Sequence, residues 1–214
     1  MEKEGQVGYT SVEQFSPLIR PINGPSTSNG GIGDWFMANM EKFKELVLYL
    51  SEKSVSDKKF GSTKLNKLLF YCDFIAYAEL GASITGVTYQ RITKGPAPKC
   101  MVPVRDEMVE SKELAIQPVP LLSGHTQRRP VNLRRPNLTL FSGEEISLVD
   151  TILQGFSKFD ADQISNFSHG HIGWLLAQDG ETIPYGAAYF SNEPLTADEI
   201  RRGNEIADAR GRAA

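Results

Sequence analysis

The chain has 214 residues, 40% hydrophobic and 23% charged, with a formal net charge of −3; that suits one sizeable domain with extras and gives no basic excess to recommend nucleic acid as a partner. No run of about 18 apolar residues occurs, so no membrane span is expected, and the start MEKEGQVGYT lacks the apolar stretch of a secretory signal. Two cysteines, Cys72 and Cys100, are too few for a disulfide framework, and together these features predict a cytoplasmic protein.

Residues 1–33 read as a flexible N-terminal arm. The stretch PLIRPINGPSTSNGGIGD is dense in Pro, Gly, Ser and Asn, and such a segment buries too little apolar area to offset its ordering entropy. Its large apolar residues, Tyr9, Phe15, Leu18 and Ile19, leave open an arm that packs on the domain. The domain proper is placed at 34–214.

From Trp35 to Lys53, Phe36, Met40, Phe43, Val47 and Leu50 recur at helical steps with Leu46 beside them. SVSDKKF is a polar break. Ser62 or Thr63 is expected to cap the next helix, and Gly81 to supply its left-handed C-terminal cap.

That second helix contains KLNKLLFYCDFIAY, Lys64 to Tyr77. Leu65, Leu68, Leu69, Cys72, Ile75 and Ala76 make one apolar stripe, and Phe70, Phe74 and Tyr77 a second. A helix apolar nearly all round is a central helix with several neighbours. Lys64, Lys67 and Asp73 mark a narrow polar strip, expected to meet solvent; a partner or a polar pocket is the alternative.

In GVTYQRITKGPAPK, Val87, Tyr89 and Arg91 alternate with Thr88, Gln90 and Ile92, as in a short strand. Pro96 and Pro98 predict that GPAP ends it in a rigid turn. A third helix follows from Val102, with Pro103 in its first turn and Val104, Met108 and Val109 inward. Residues 115–141 are broken by prolines, and SGHTQ suits a loop or hairpin, so two or three edge strands or extended segments are expected. Ser142 and Glu145 form a capping box for a helix carrying Ile146, Val149, Ile152, Leu153 and Phe156. A short helix starts at Phe159-Asp-Ala-Asp-Gln, and HGHIGWLLAQ is read as continuing it. Thr196 and Glu199 form another capping box before a C-terminal helix ending near Arg210. The sum is a single helix-dominated α+β domain with a central apolar helix and a small antiparallel β element.

Chemistry is harder to find. His169 and His171 are two apart, on different sides of a helix, and no CxxC occurs, so no metal and no cofactor are expected. GxSxG and GxxxxGK[ST] are absent. Cys100 beside Lys99, paired with His169, would be the only thiol candidate. The acidic residues Glu144, Glu145, Asp160 and Asp162 lie at helix starts, where the dipole favours them. Arg128, Arg129, Arg134 and Arg135 form the best nucleic-acid candidate, but the surrounding prolines favour a solvated edge or a protein partner.

KLNKLLFYCDFIAY resembles the central "KLxKLLYYA" helix of the Panacea antitoxin domain family, which includes SocA-like antitoxins and phage-associated GepA-like proteins. Lys64, Leu65, Lys67, Leu68, Leu69 and Tyr71 are in register. YQRITKGPAPKCM resembles the family's "GPV" stretch at Gly95 and Pro96, with Ala97 in place of the usual valine and Arg91 near a frequent tryptophan. Ser168, His169 and Trp174 resemble its "SH…W" element. The likeness covers roughly 40–190; the RRPVNLRRP segment looks like an elaboration, and residues 1–35 do not resemble a helix-turn-helix. The resemblance implies a non-catalytic protein that neutralises a toxin encoded beside it by direct binding. The alternatives are an adaptor that delivers the toxin to a protease, a small hydrolytic or thiol enzyme around Cys100 and His169, and a nucleic-acid-binding regulator. For the first reading the partner-binding candidates are Lys67, Tyr71, Arg91, Arg128, Arg129, Arg134, Arg135, Phe15, Leu18 and Ile19. GPAP, Ser168, His169 and Trp174 are expected to be mostly internal.

Overall fold

In the computed structural model, described for residues 39–122 and 124–190 and for Ala197, Arg201, Arg202 and Glu205, the long helix α2 (Ser62–Leu80) is enclosed on nearly every side. It meets α1 (Met40–Lys53), α4 (Gly143–Gly155), α5 (Ala161–His169), strands β2 (Ala97–Pro98) and β4 (Thr126–Asn132), and a 3-10 turn at Tyr185–Tyr189. Both of its apolar stripes are used: Leu65, Leu68, Leu69 and Cys72 on one side and Phe70 and Phe74 on the other are buried. Gly81 ends the helix at φ +80°, as expected of a left-handed cap. The start differs from expectation: Gly61 is the N-cap, no side chain caps it, and the Ser62 hydroxyl instead donates to Arg128 O at 2.9 Å.

The polar strip of α2 does not meet solvent. Lys64, Lys67 and Asp73 are 2%, 1% and 0% exposed. The expectation of a solvated face is therefore corrected: the packed helix has no free face, and each charge sits in a pocket of fixed partners.

Among the described residues, two small antiparallel sheets flank the helices. One has the order β2-β1-β5, with β1 at Tyr89–Gln90 and β5 at Thr182–Ile183. Tyr89 stands opposite both Pro98 and Ile183. The strand is shorter than its alternating pattern suggested, and GPAP is only half a turn, because Ala97 and Pro98 belong to β2. The other sheet is the hairpin of β3 (Leu114–Pro120) and β4. Leu121 N donates to His125 O and Leu133 N to Glu113 O, so the odd-numbered residues of β3 exchange bonds with β4 and the even-numbered ones face away. Pro118 and Pro120 occupy such outward positions, and so does Pro130, paired with Ile116. The prolines thus cost the hairpin no internal bond and leave its edges short of donors for another strand.

Helix α3 (Met101–Glu110) buries Met101, Val104 and Met108, but Val109 is exposed, against expectation. The capping box of Ser142 and Glu145 is present on α4, and Asp160 with Gln163 makes another on α5. HGHIGWLLAQ does not continue α5: the chain breaks at Gly170, and His171 caps a separate helix α6 (Ile172–Leu176). Ala197, Arg201, Arg202 and Glu205 are helical and exposed. The arm residues Tyr9, Phe15, Leu18 and Ile19, the helix start at Trp35 and Phe36, and the Thr196–Glu199 capping box lie outside the described residues.

Candidate functional site

The three stretches that carry the family resemblance meet at one place. Lys67, from α2, donates from Nζ to Pro96 O at 2.8 Å. Gly95, at φ +90°, lies between Lys67 and Ser168: a Cβ there would stand 2.2 Å from Ser168 Oγ and 2.7 Å from Lys67 Cε. The left-handed backbone and the close approach both demand glycine. Ser168 donates to Ser165 O at 2.7 Å, which holds its hydroxyl in place. Burial, reinforced by the charge of Lys94, lowers the Lys67 pKa to about 7.

Trp174 extends this joint. Its ring stacks on His169, with centroids 4.1 Å apart and planes at 17°. The Arg91 guanidinium covers it at 4.0 Å, a cation–π contact. Trp174 Nε1 donates to Ile92 O at 3.2 Å. Arg91 Nη1 also donates to Trp174 O at 3.0 Å and Ala177 O at 2.8 Å, so a fixed cation satisfies the last carbonyls of α6. His169 is held below the usual histidine range by burial first and then by the charges of Lys67 and Arg91, against a bond to the Thr93 backbone. Its Nε2 is buried without a hydrogen-bond partner among the described residues. Arg91 is therefore held in structural contacts, with its side chain 27% exposed.

The rest of the strip is equally committed. Asp73 accepts from Thr85 N (2.7 Å), Thr85 Oγ1 (2.5 Å) and the Tyr89 hydroxyl (2.7 Å). Burial raises its pKa to about 6 despite these bonds, which favour the charged form. Lys64 donates to Asp57 (2.7 Å) and Phe159 O (2.6 Å). Tyr71 is 7% exposed and stacks on Phe156 at 4.8 Å. His171, wedged edge-on against Phe70 (4.9 Å) and Phe74 (5.4 Å), accepts from Gly173 N, and burial lowers its pKa to about 4. Lys67 and Tyr71 therefore present no surface to a partner.

The four arginines divide. Arg129 aims its fork at backbone carbonyls of Ser54 (2.9 Å), Val55 (2.7 Å) and Asp57 (2.6 Å), tying β4 to the end of α1. Arg134 bonds both oxygens of Glu45, at 2.5 and 2.9 Å, and also Glu113. Burial opposes the charge on Glu45, but the bonds from Arg134 and Asn137 N outweigh it and hold its pKa below the usual value. Arg128 and Arg135 are exposed.

The thiol candidate has no support. Cys100 is half-buried at the start of α3, and burial pushes its pKa up, against thiolate formation. Among the described residues no group of three or more His, Cys, Asp or Glu could hold a metal ion, and no helix is long and apolar enough to cross a membrane.

The arrangement is a helix-dominated α+β domain with a buried hub helix, cross-pinned to a glycine turn and to the α5–α6 corner. The family model for the antitoxin SocA-like, Panacea domain matches residues 65–175, from the hub helix to the end of that corner. The chain belongs to this family. No match to a curated protein or to a solved structure was found.

Sequence reasoning placed Lys67, Gly95, Ser168 and Trp174 in one motif set but gave no sign that they touch. The Asp73–Thr85–Tyr89 network and the Glu45–Arg134 pair were missed. The one available signal was an acid in the middle of an apolar helix, which must find buried donors.

Proposed function

We propose that this chain is an antitoxin that neutralises a cognate toxin protein by binding it directly. The observation that carries this reading is family membership, with the matched residues building the body of the domain. Membership also supports a non-enzymatic role. The chemically suggestive side chains of the joint, Lys67, Ser168 and Trp174, are occupied in bonds to backbone carbonyls.

The toxin surface in this reading is the tip of the β3–β4 hairpin and the segment after β4, joined by the arm residues Phe15, Leu18 and Ile19. Arg128 and Arg135 are exposed there, and so are Leu121, Leu122, Leu133 and Leu138. Arginine forks set among exposed apolar side chains make effective interface anchors, and a specific complex buries at least about 1,000 Å² in total.

The test is co-purification of the tagged product of the neighbouring toxic gene with the full chain, alongside growth on co-expression. Binding is expected, weakened at least tenfold by Arg128→Ser with Arg135→Ser and by Leu133→Ser with Leu138→Ser. Rescue of growth without binding by the folded full chain, accompanied by loss of the toxin from the cell, would replace neutralisation by delivery to a protease.

A further inference from the structure

Where the first turns of α2 meet β1, β2, α3 and the β3–β4 hairpin, a cavity of about 140 Å³ remains. Each element contributes a side chain to its wall: Asn66 from α2, Gln90 from β1, Lys99 just after β2, and Met101 with Arg105, one turn apart on α3. Ile116 and Pro130, cross-strand partners in the hairpin, complete the lining. Asn66 is the exception among the polar residues of the hub helix. Lys64, Lys67 and Asp73 all have fixed partners, but Asn66 Oδ1 is buried with none among the described residues. A buried amide atom without a partner is costly and uncommon in a folded domain. Its place on a cavity wall points to a ligand that supplies the missing bond. The two ends of a side-chain amide have the same shape, so a half-turn offers either a donor or an acceptor.

The charge of the lining narrows the ligand. It carries two cations, Lys99 and Arg105, and no Asp or Glu among the described residues. Arg105 donates from Nε at 2.9 Å and from Nη2 at 2.7 Å to Asp106 Oδ1, which fixes the guanidinium and leaves its third nitrogen for another acceptor. Asp106 is 62% exposed and lies outside the lining, whereas the Arg105 side chain is 17% exposed, so solvent screens the acid more than the cation. Lys99 gives one of its three protons to Thr182 Oγ1 at 2.8 Å. The remaining wall, with Met101, Ile116 and Pro130, is apolar; it suits a hydrocarbon stem and disfavours an anion polar on every side, such as phosphate. At about 30 Å³ per water-sized group, the space holds about five heavy atoms. That is the size of propionate, and of a glutamate side chain beyond Cα.

We propose that this cavity is a binding site for a carboxylate on a short apolar stem. The Arg105 guanidinium, Lys99 and the Asn66 amide bond the carboxylate, and the stem lies against Met101, Ile116 and Pro130. A free short-chain acid and an acidic side chain of a protein partner share this chemistry. The site uses none of the residues assigned above to the toxin surface, and carboxylate binding stands whether or not the chain is an antitoxin.

The test is a titration of the isotope-labelled full chain with propionate at constant ionic strength, followed by amide chemical shifts. Saturable shifts are expected at the Asn66 side-chain amide and along 99–105. Propionamide, of equal size but neutral, should bind at least tenfold more weakly, and so should propionate to Arg105→Met and to Asn66→Leu. No saturable shift at Asn66 with propionate would overturn the proposal and leave the cavity to water. Equal binding of propionamide would overturn it too, as would equal shifts with inorganic phosphate, which would show a general response to charge. These three comparisons use the native chain, so they decide the matter even where a variant fails to fold. The complex with the tagged toxin then separates the two sources. If the complex no longer takes up propionate and Asn66→Leu captures the toxin at least tenfold less, the site receives an acidic side chain of the partner. If the complex takes up propionate unchanged, the site serves a free acid. Failure of any toxin to bind would remove the antitoxin reading and leave the propionate result standing.

Discussion

Gly95 and Ser168 approach so closely that a Cβ on the glycine would lie 2.2 Å from the serine Oγ. The β1–β2 turn and α5 are joined at this contact, with Lys67 of α2 on its other side. The motif shared with the family is therefore a joint between elements distant in sequence. Its residues are constrained by packing and by bonds from Lys67, Ser168 and Trp174 to backbone carbonyls.

Gly95→Ala is expected to destabilise the domain by about 2–4 kcal/mol. Roughly 1–2 kcal/mol comes from the left-handed backbone, and the rest from displacing Ser168 or the Lys67 stem in a close-packed interior. Urea unfolding followed by fluorescence measures this as a lower midpoint at unchanged slope. Gly124→Ala, at φ +81° but with nothing within 4 Å of its Cβ position, should show the backbone part alone. Equal losses in the two variants would mean that the Gly95 contact is soft.

Lys67 makes stability depend on pH in a definite sense. Its folded pKa of about 7 lies below the ordinary 10.5, so between these values the unfolded chain binds more protons. Stability should rise as pH increases from 7 towards 10, because the buried amine is neutral only in the folded state. Lys67→Met keeps the volume and removes the titration. The melting temperature of the native chain is expected to climb between pH 7 and 9.5 relative to Lys67→Met, and parallel curves would show that Lys67 keeps its proton in the folded state.

The hub helix was legible because its two apolar stripes leave almost no polar perimeter, and periodicity reports burial directly. The capping box of α4 and the Gly81 terminus were legible because they are local chemistry. The fate of Lys64, Lys67 and Asp73 was not, because a charge on a helix looks the same in sequence whether it meets water or a carbonyl from far along the chain. The break between α5 and α6 was missed for a related reason: His171 caps α6 through a ring wedged against Phe70 and Phe74, a tertiary contact with no local signature. Arg129 and Arg134 read as surface charge because their acceptors, the end of α1 and Glu45, are distant in sequence.

Asp73 and His171 act against each other at acid pH. The Asp73 pKa is raised to about 6 from 3.8, so its contribution is most favourable at low pH and is lost as pH rises through 6. The His171 pKa is lowered to about 4 from 6.5, so its contribution is present above 6.5 and lost as pH falls through 4. Asp73→Asn removes the first effect and misplaces a donor among the Thr85 and Tyr89 donors, at a cost of about 1–3 kcal/mol. The variant should lose stability more steeply than the native chain from pH 6.5 to 4.5, and an unchanged slope in thermal unfolding would show that Asp73 stays ionised throughout.

Arg134 separates a structural arginine from a surface one. Glu45 is 5% exposed and receives Arg134 on both oxygens. Removing the arginine leaves a buried carboxylate that still accepts from Asn137 N at 2.6 Å. Breaking such a pair costs about 3–5 kcal/mol when both partners are buried; the Arg134 side chain is 39% exposed, and solvent reduces the figure to about 2–3 kcal/mol. Arg134→Met should therefore lower the urea midpoint clearly, and Glu45→Gln in the same chain should recover part of the loss by removing the stranded charge. Arg128→Ser and Arg135→Ser, on exposed side chains, should change stability by less than about 0.5 kcal/mol. If all three arginine variants unfold alike, Arg134 is no more committed to the fold than its neighbours and returns to the set available for a partner.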